Sequence, residues 1–350
     1  MARRKNKARA GGKPSKWIIA GLCLLGLVIG AVVGFYVHYY VLNPAPRKKS
    51  VQEGSATTKT TNPVNTANTV SKNKYNKPGS AEPARVQQTM SYLSQQVGAR
   101  VEGSQAEHTA AYYLKGELEK LGYSVGVQEF TLPNGQVSQD LVTADPGTSD
   151  KYSFLIGAHV DSRSGSPGAN ENASGCAALL ELARTIKGTK HVPEIRFVVF
   201  GAEEDYGSNR TLHRIGSTNY LNSQSAPERA KIIGMLSEDT ISVGPEVHVR
   251  DWGANSPGLA RSIVSVAQAK GVNAVEDPSE NSDHEPFGAA GIPAVWLERM
   301  LPQSKPDPAL HSSSDSMAHV STNLVTELVD LTRGYLLGLD EAYCRAAVAR

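Results

Sequence analysis

From Pro83 onward, short runs of β-branched and apolar residues alternate with longer stretches whose apolar positions recur at helical spacing. That alternation restricts the fold to a sheet covered by helices on both faces. Val86, Met90, Leu93 and Val97 mark a first amphipathic helix, which Gly98 ends. Ser104-Gln105-Ala106-Glu107 reads as a capping box, with the Ser hydroxyl and the Glu carboxylate serving the first free amides of a helix that runs through Tyr113, Leu114, Leu118 and Leu121 to Gly122. Strands are expected around Ser124–Leu132, Tyr152–Ala158, Ile195–Gly201, Lys231–Ser237 and Ala294–Leu297. Helices fill the gaps at Ala173–Lys187, Pro257–Gly271 and Thr322–Asp340. There is no internal repeat of the kind a solenoid needs. The expectation for 83–350 is a single α/β domain with a mostly parallel mixed sheet.

The first 82 residues read differently. Residues 1–16 form a basic tail carrying Arg3, Arg4, Lys5, Lys7, Arg9, Lys13 and Lys16 without an acid. Trp17 to Leu42 then run without Lys, Arg, Asp or Glu, long enough for the roughly 20 apolar residues of a membrane span. The apolar core exceeds that of a cleavable signal peptide and no small-residue cleavage site follows, so 17–42 is read as a transmembrane signal anchor. The basic tail assigns the N-terminus to the cytoplasm and sends the rest to the periplasm or the exterior, against a weaker pull from Arg47, Lys48 and Lys49. Gly26, Gly30 and Gly34 recur at the spacing that lets membrane helices approach closely, which offers dimerisation through this helix as one reading. Residues 43–82, rich in Ser, Thr, Asn, Lys and Pro, are expected to form a disordered tether.

Charge separates the same regions. Residues 1–82 hold 14 of the 36 Lys and Arg but 2 of the 34 Asp and Glu, so the folded part is acidic and unsuited to nucleic acid. Of the three cysteines, Cys23 falls in the apolar span, and Cys176 and Cys344 lack zinc-ligand spacing. Cys176 is expected to be an inert core residue on a helix, with a disulfide to Cys344 as the lesser alternative.

In open α/β sheets ligands bind beyond the carboxyl ends of the strands, so the polar residues that end apolar runs carry the chemistry. They are His159-Val160-Asp161-Ser162, the Pro167–Gly175 loop with Glu171, Glu203-Glu204-Asp205, Glu238-Asp239, and His311 followed by Asp315. Histidine and carboxylate together suit divalent cations, and two close cations need a carboxylate between them. A lone histidine or an acidic loop carries no such meaning, so His191, His213, His248 and His319 stay unassigned. Ser282-Asp283-His284 reads equally as a helix N-cap or as part of the site.

In this order, His-x-Asp-Ser, Pro-Gly-Ala-Asn-x-Asn-Ala-Ser-Gly, Glu-Glu and His-x-x-x-Asp make the stretch from about Arg100 to Asp340 resemble the co-catalytic di-zinc aminopeptidases. Relatives of that family include glutamate carboxypeptidase, the transferrin receptor ectodomain and glutaminyl cyclases. The resemblance implies two zinc ions, one held by His159 and Asp239 and the other by Glu204 and His311, with Glu171 bridging. It further implies that Glu203 is the general base and that Asp161 fixes the ring of His159. Two departures stand out: the bridge is usually Asp, one methylene shorter than Glu171, and Tyr206–Ile215 is an insertion expected at the site's rim. The implied activity is hydrolysis of the amino-terminal bond of peptides with a free amino terminus. A single-zinc glutaminyl cyclase and a non-catalytic receptor-like module are the alternatives. Side-chain preference, peptide length, amino- against carboxypeptidase specificity and the choice among zinc, cobalt and manganese depend on pocket shape and metal supply, which motifs do not encode.

Overall fold

A computed structural model describes residues 79–204 and 212–349. In chain order these form α1 (Pro83–Ser91), α2 (Gln105–Lys120), β1 (Gly126–Thr131), β2 (Val137–Asp145), β3 (Ser153–His159), α3 (Gly175–Ile186) and β4 (Glu194–Phe200). They continue as α4 (Ile215–Ser223), α5 (Ala226–Lys231), β5 (Ile232–Glu238), β6 (Glu246–Trp252), α6 (Pro257–Ala269) and β7 (Ala274–Glu276). The last elements are α7 (Glu285–Ala289), β8 (Ala294–Met300), α8 (Thr322–Leu337) and α9 (Glu341–Val348).

The eight strands form one mixed sheet in the order β1-β2-β4-β3-β5-β8-β6-β7. Its centre, β4-β3-β5-β8, is parallel. Antiparallel pairing joins β2 to β4 and β6 to β8. Strands β3, β5 and β8 are buried along their whole length, as a parallel sheet covered on both faces requires. Side chains alternate across β3. Phe154 and Ile156 join the larger core with Met90 of α1, Leu114 of α2, Leu182 of α3 and Leu328 of α8. Leu155 faces the other way, onto Phe200, Tyr220 of α4 and Phe287 of α7.

Local structure follows local chemistry. Pro83 opens α1, where its missing N–H costs nothing. The single helix expected up to Gly98 instead widens into a π-type turn over Tyr92–Val97 before Gly98 stops it at φ +82°. Ser104 caps α2 by accepting the Glu107 amide at 3.2 Å, but the capping box does not close. The Glu107 carboxylate bonds the Gly103 amide at 2.7 Å, and the Ser104 amide goes to the Val101 carbonyl.

Strands β2, β6 and β7 were not expected. In β2, Ser138, Gln139 and Asp140 are buried polar residues, so no apolar run marks the strand. Strand β6 (EVHVRDW) mixes charges into its alternation because it lies toward the sheet's margin between β8 and the short β7. Cys176 and Cys344 are buried free thiols rather than a disulfide, and burial pushes the Cys176 thiol up to about 12. Among the described residues no helix is long and apolar enough to cross a membrane. The basic tail, Trp17–Leu42 with its glycines, and the tether up to residue 78 lie outside those residues.

Helix α3 approaches β5 so closely that a methyl at Gly175 would sit 1.9 Å from the Glu238 carbonyl oxygen. Gly175→Ala is therefore expected to lower stability by about 1–3 kcal/mol in denaturant melts. Gly116→Ala, inside α2 with nothing within 4 Å of the new methyl, is expected to raise it by about 0.5–1 kcal/mol. Equal effects of the two would mean that the close approach of α3 to β5 does not constrain the fold.

Candidate active site

The carboxyl ends of β3, β4 and β5 lie side by side, and each delivers polar residues to the same point. His159 ends β3 and is fully buried. Glu203 and Glu204 follow β4 through a turn in which Ala202 adopts φ +49°, and Asp239 follows β5. Glu171 comes from the loop between β3 and α3, and His311 from the loop after β8, itself at φ +60°. A cavity of about 320 Å³ opens onto all of them but His159, lined also by Arg163, Thr240, Trp296 and Glu298.

Donor atoms of His159, Glu171 and Asp239 lie within 4.8 Å of one another, and so do those of Glu171, Glu204 and His311. The carboxylate of Glu171 belongs to both groups. His159 Nε2 is 3.4 Å from Asp239 Oδ1, and His311 Nε2 is 3.0 Å from Glu171 Oε1 and 3.5 Å from Glu204 Oε2. Both ring nitrogens of His159, Glu171 Oε2, Glu204 Oε1 and Asp239 Oδ1 are buried without a hydrogen-bond partner. Unpartnered polar atoms in a protein interior are costly, and all of these belong to residues of the two donor groups, so the set fits divalent cations. Imidazole nitrogen and carboxylate oxygen are the donors that zinc and similar divalent ions take. Glu203 belongs to neither group. It lines the cavity beside Glu204 and is 7% exposed.

The electrostatics express the same need. Burial drives the Glu203 carboxyl well above its usual range, and Asp283, Glu204 and Asp239 add to the shift against an opposing pull from His159. Burial, with Glu171 nearby, pushes Glu204 up to about 8. Burial disfavours a charged His159, but Asp239 and Asp161 outweigh it and raise the ring's pKa well above normal. A divalent ion among these carboxyls would favour their charged forms.

Surrounding residues fix the donors. Asp161 accepts the amides of Glu203 at 3.1 Å and Glu204 at 3.0 Å, and its Oδ1 is 3.4 Å from His159 Nδ1. Asp315, four residues beyond His311, accepts the amides of Asn170 at 2.6 Å and Glu171 at 3.0 Å. Sequence reading left it without a role, although its place in the His-x-x-x-Asp motif was the available signal. The Trp296 indole donates to the Asp239 carbonyl at 3.0 Å, and Arg163 bonds Glu204 at 2.8 Å. Fully buried Arg100 spends its guanidinium on backbone carbonyls of Val160, Leu93, Gly98, Pro167 and Gly168, which pins the loop leading to Glu171.

The Ser282-Asp283-His284 segment belongs beneath the site. The Ser282 hydroxyl donates to Asp239 Oδ2 at 2.9 Å, and His284 Nε2 lies 2.6 Å from the Ser279 carbonyl oxygen, in neither donor group. His191, His248 and His319 pair with Asp145, Asp277 and Asp307. Of the insertion, residues 206–211 lie outside the described part, while His213 and Arg214 line the cavity.

A model described as peptidase family M28 matches residues 140–336. The chain is 32% identical over 263 residues to leupeptin-inactivating enzyme 1 of Streptomyces exfoliatus, across 68% of this chain and 57% of that protein. It is 30% identical over 207 residues to aminopeptidase YwaD of Bacillus subtilis, across 56% and 43%. The chain thus spans about half the length of these curated relatives. Its fold is similar to that of BSAP, a zinc aminopeptidase from Bacillus subtilis, with a TM-score of 0.68 at 20% identity over 73% of this chain and 94% of that one. Porphyromonas gingivalis glutaminyl cyclase has a TM-score of 0.64 at 20% identity, over 73% and 98%. Since the matched segment carries all the residues of both donor groups, the chain belongs to peptidase family M28.

Proposed function

We propose that this chain is a co-catalytic metallo-aminopeptidase that hydrolyses the amino-terminal bond of peptides with a free amino terminus, working with two zinc ions. The observation that carries this reading is Glu171, shared between two donor groups beside a cavity that Glu203 also lines. His159 and Asp239 would hold one ion and Glu204 and His311 the other. When bound, the ions polarise the scissile carbonyl and acidify water. Glu203 takes the proton of the attacking water and returns it to the leaving amine; the burial that raises its pKa suits a group that must hold a proton between the two events. Asp161 fixes the orientation of His159 and the backbone beneath both glutamates. The surplus of acidic residues suits a cationic amino terminus. The names of an aminopeptidase relative and a zinc aminopeptidase of like fold support the same choice. A five-residue donor set exceeds what a single-zinc cyclase needs.

Glu203→Gln is expected to lower kcat by about 10²–10⁴-fold while elemental analysis still finds the metal. The wild type is expected to cleave unblocked peptides and spare amino-blocked ones. Equal cleavage of both, or full activity in Glu203→Gln, would sink the proposal.

Dialysis against a chelator is expected to abolish activity, and zinc to restore it at about two equivalents per chain. Glu204, with a carboxyl pushed up to about 8, must lose its proton to bind metal, so uptake should release protons and weaken as pH falls below about 8. Calorimetric titration in buffers of different ionisation enthalpy measures that release, and a pH-independent affinity would contradict it.

We also propose that Trp17–Leu42 anchors the catalytic part to a membrane, on its far side from the N-terminus. The full chain should sediment with membranes and resist carbonate extraction, and deletion of residues 1–42 should release it. Sedimentation unchanged by the deletion would place the attachment elsewhere.

A further inference from the structure

The turn after β4 presents an unusual arrangement. Four consecutive backbone amides, from Gly201 to Glu204, each donate to a buried carboxylate. Gly201 bonds Asp140 Oδ1 at 3.1 Å, and Ala202 bonds Glu107 Oε1 at 3.1 Å. Glu203 and Glu204 bond the two oxygens of Asp161 at 3.1 and 3.0 Å. Three acids from three segments, α2, β2 and the loop after β3, thus take up four consecutive amides.

We infer that Glu107 and Asp140 are positioning residues for Glu203 and Glu204, holding the turn that aims both side chains into the cavity. This rests on the reading of Glu203 as base and Glu204 as ligand. The turn needs holding: Ala202 sits at φ +49°, a left-handed conformation that residues with a Cβ disfavour. It also has no room to shift, because a methyl at Gly201 would meet Ser138 Oγ at 2.3 Å and Glu107 Oε1 at 2.9 Å.

Burial pushes the Glu107 carboxyl up to about 8, and the donors gathered around it pull the other way, since a carboxylate can serve several donors at once. Glu107 does so: Oε2 takes the Gly103 amide at 2.7 Å, while Oε1 takes the Ser138 hydroxyl at 2.7 Å as well as the Ala202 amide. The same side chain that leaves the capping box of α2 open therefore ties that helix to the catalytic turn. Glu107 lies outside the 140–336 segment of the family match. A displacement of the turn by an ångström would carry Glu203 out of reach of its proton, and errors of that size cost about 10²-fold in rate.

The full chain tests this. In Glu107→Gln one face of the side chain becomes a donor and opposes either the Ala202 or the Gly103 amide. Its kcat should fall about 10–100-fold, with KM changed less than about threefold and zinc content unchanged. In the metal-free protein, hydrogen exchange of the peptide spanning Gly201–Glu204 should speed up. Ser138→Ala, which removes a donor from the same oxygen but none of the bonds made by the turn's own amides, should keep kcat within about twofold. Should Glu107→Gln fail to fold, Asp140 serves in its place. Asp140→Ala should lose kcat, and Asp140→Asn, which keeps an acceptor for Gly201, should recover most of it. Unchanged kcat and exchange in Glu107→Gln and Asp140→Ala, while Glu203→Gln is inactive, would overturn the positioning role alone. Full activity in Glu203→Gln would remove the reading beneath it.

Discussion

The burial of several carboxylates at one place, with the repulsion among them added, is the constraint around which this protein is organised. Asp161, Glu171, Glu203, Glu204 and Asp239 converge beyond the ends of three adjacent strands, all largely removed from water. Uncompensated, such a cluster would take up protons, and the raised pKa values of Glu203 and Glu204 express that. Cations at the two donor groups would supply compensation on the cavity side. On the protein side Asp161 takes the backbone amides of Glu203 and Glu204, Glu204 takes Arg163, and Asp239 takes the Ser282 hydroxyl.

That division explains how an ordinary α/β scaffold produces an exacting site. The parallel centre of the sheet needs only apolar runs buried on both faces, and it places three strand ends within reach of one another. The finer placement comes from buried polar residues behind the site: Arg100 under the Pro167–Gly168 bend, Ser282 and Trp296 on Asp239, and Asp315 on Glu171. None of them would be needed to fold a sheet.

The same division decides what could be read from sequence. Strands β3, β4, β5 and β8 were legible because burial on both faces makes them continuous apolar runs. Strand β2 was not, because its buried Ser138 and Asp140 face Glu107 and the catalytic turn and break the pattern. His159, Glu171, Glu203, Glu204, Asp239 and His311 stood out because each follows an apolar run or sits in a motif. The donor groups then gather all of these but Glu203 around Glu171. Glu107 was read only as a capping residue, since a Ser-x-x-Glu spacing does not show that the carboxylate, besides turning back to the start of its own helix, reaches across to another loop.

Asp315 couples two parts of the chain that are otherwise far apart. It accepts the Glu171 amide, while His311 in the same short loop faces the Glu171 side chain. The stretch from His311 to Asp315 therefore acts as a ruler, measuring the gap between the backbone and the carboxylate of one residue. A residue added or lost within it would pull the histidine and the aspartate out of step with Glu171. Asp307 extends the scale to the other side of His311, since it accepts the side chain of Asn170, the neighbour of Glu171. Evolutionary drift in loop length is thus channelled to the stretch between Met300 and Asp307, away from the marks that meet the Asn170–Glu171 bend.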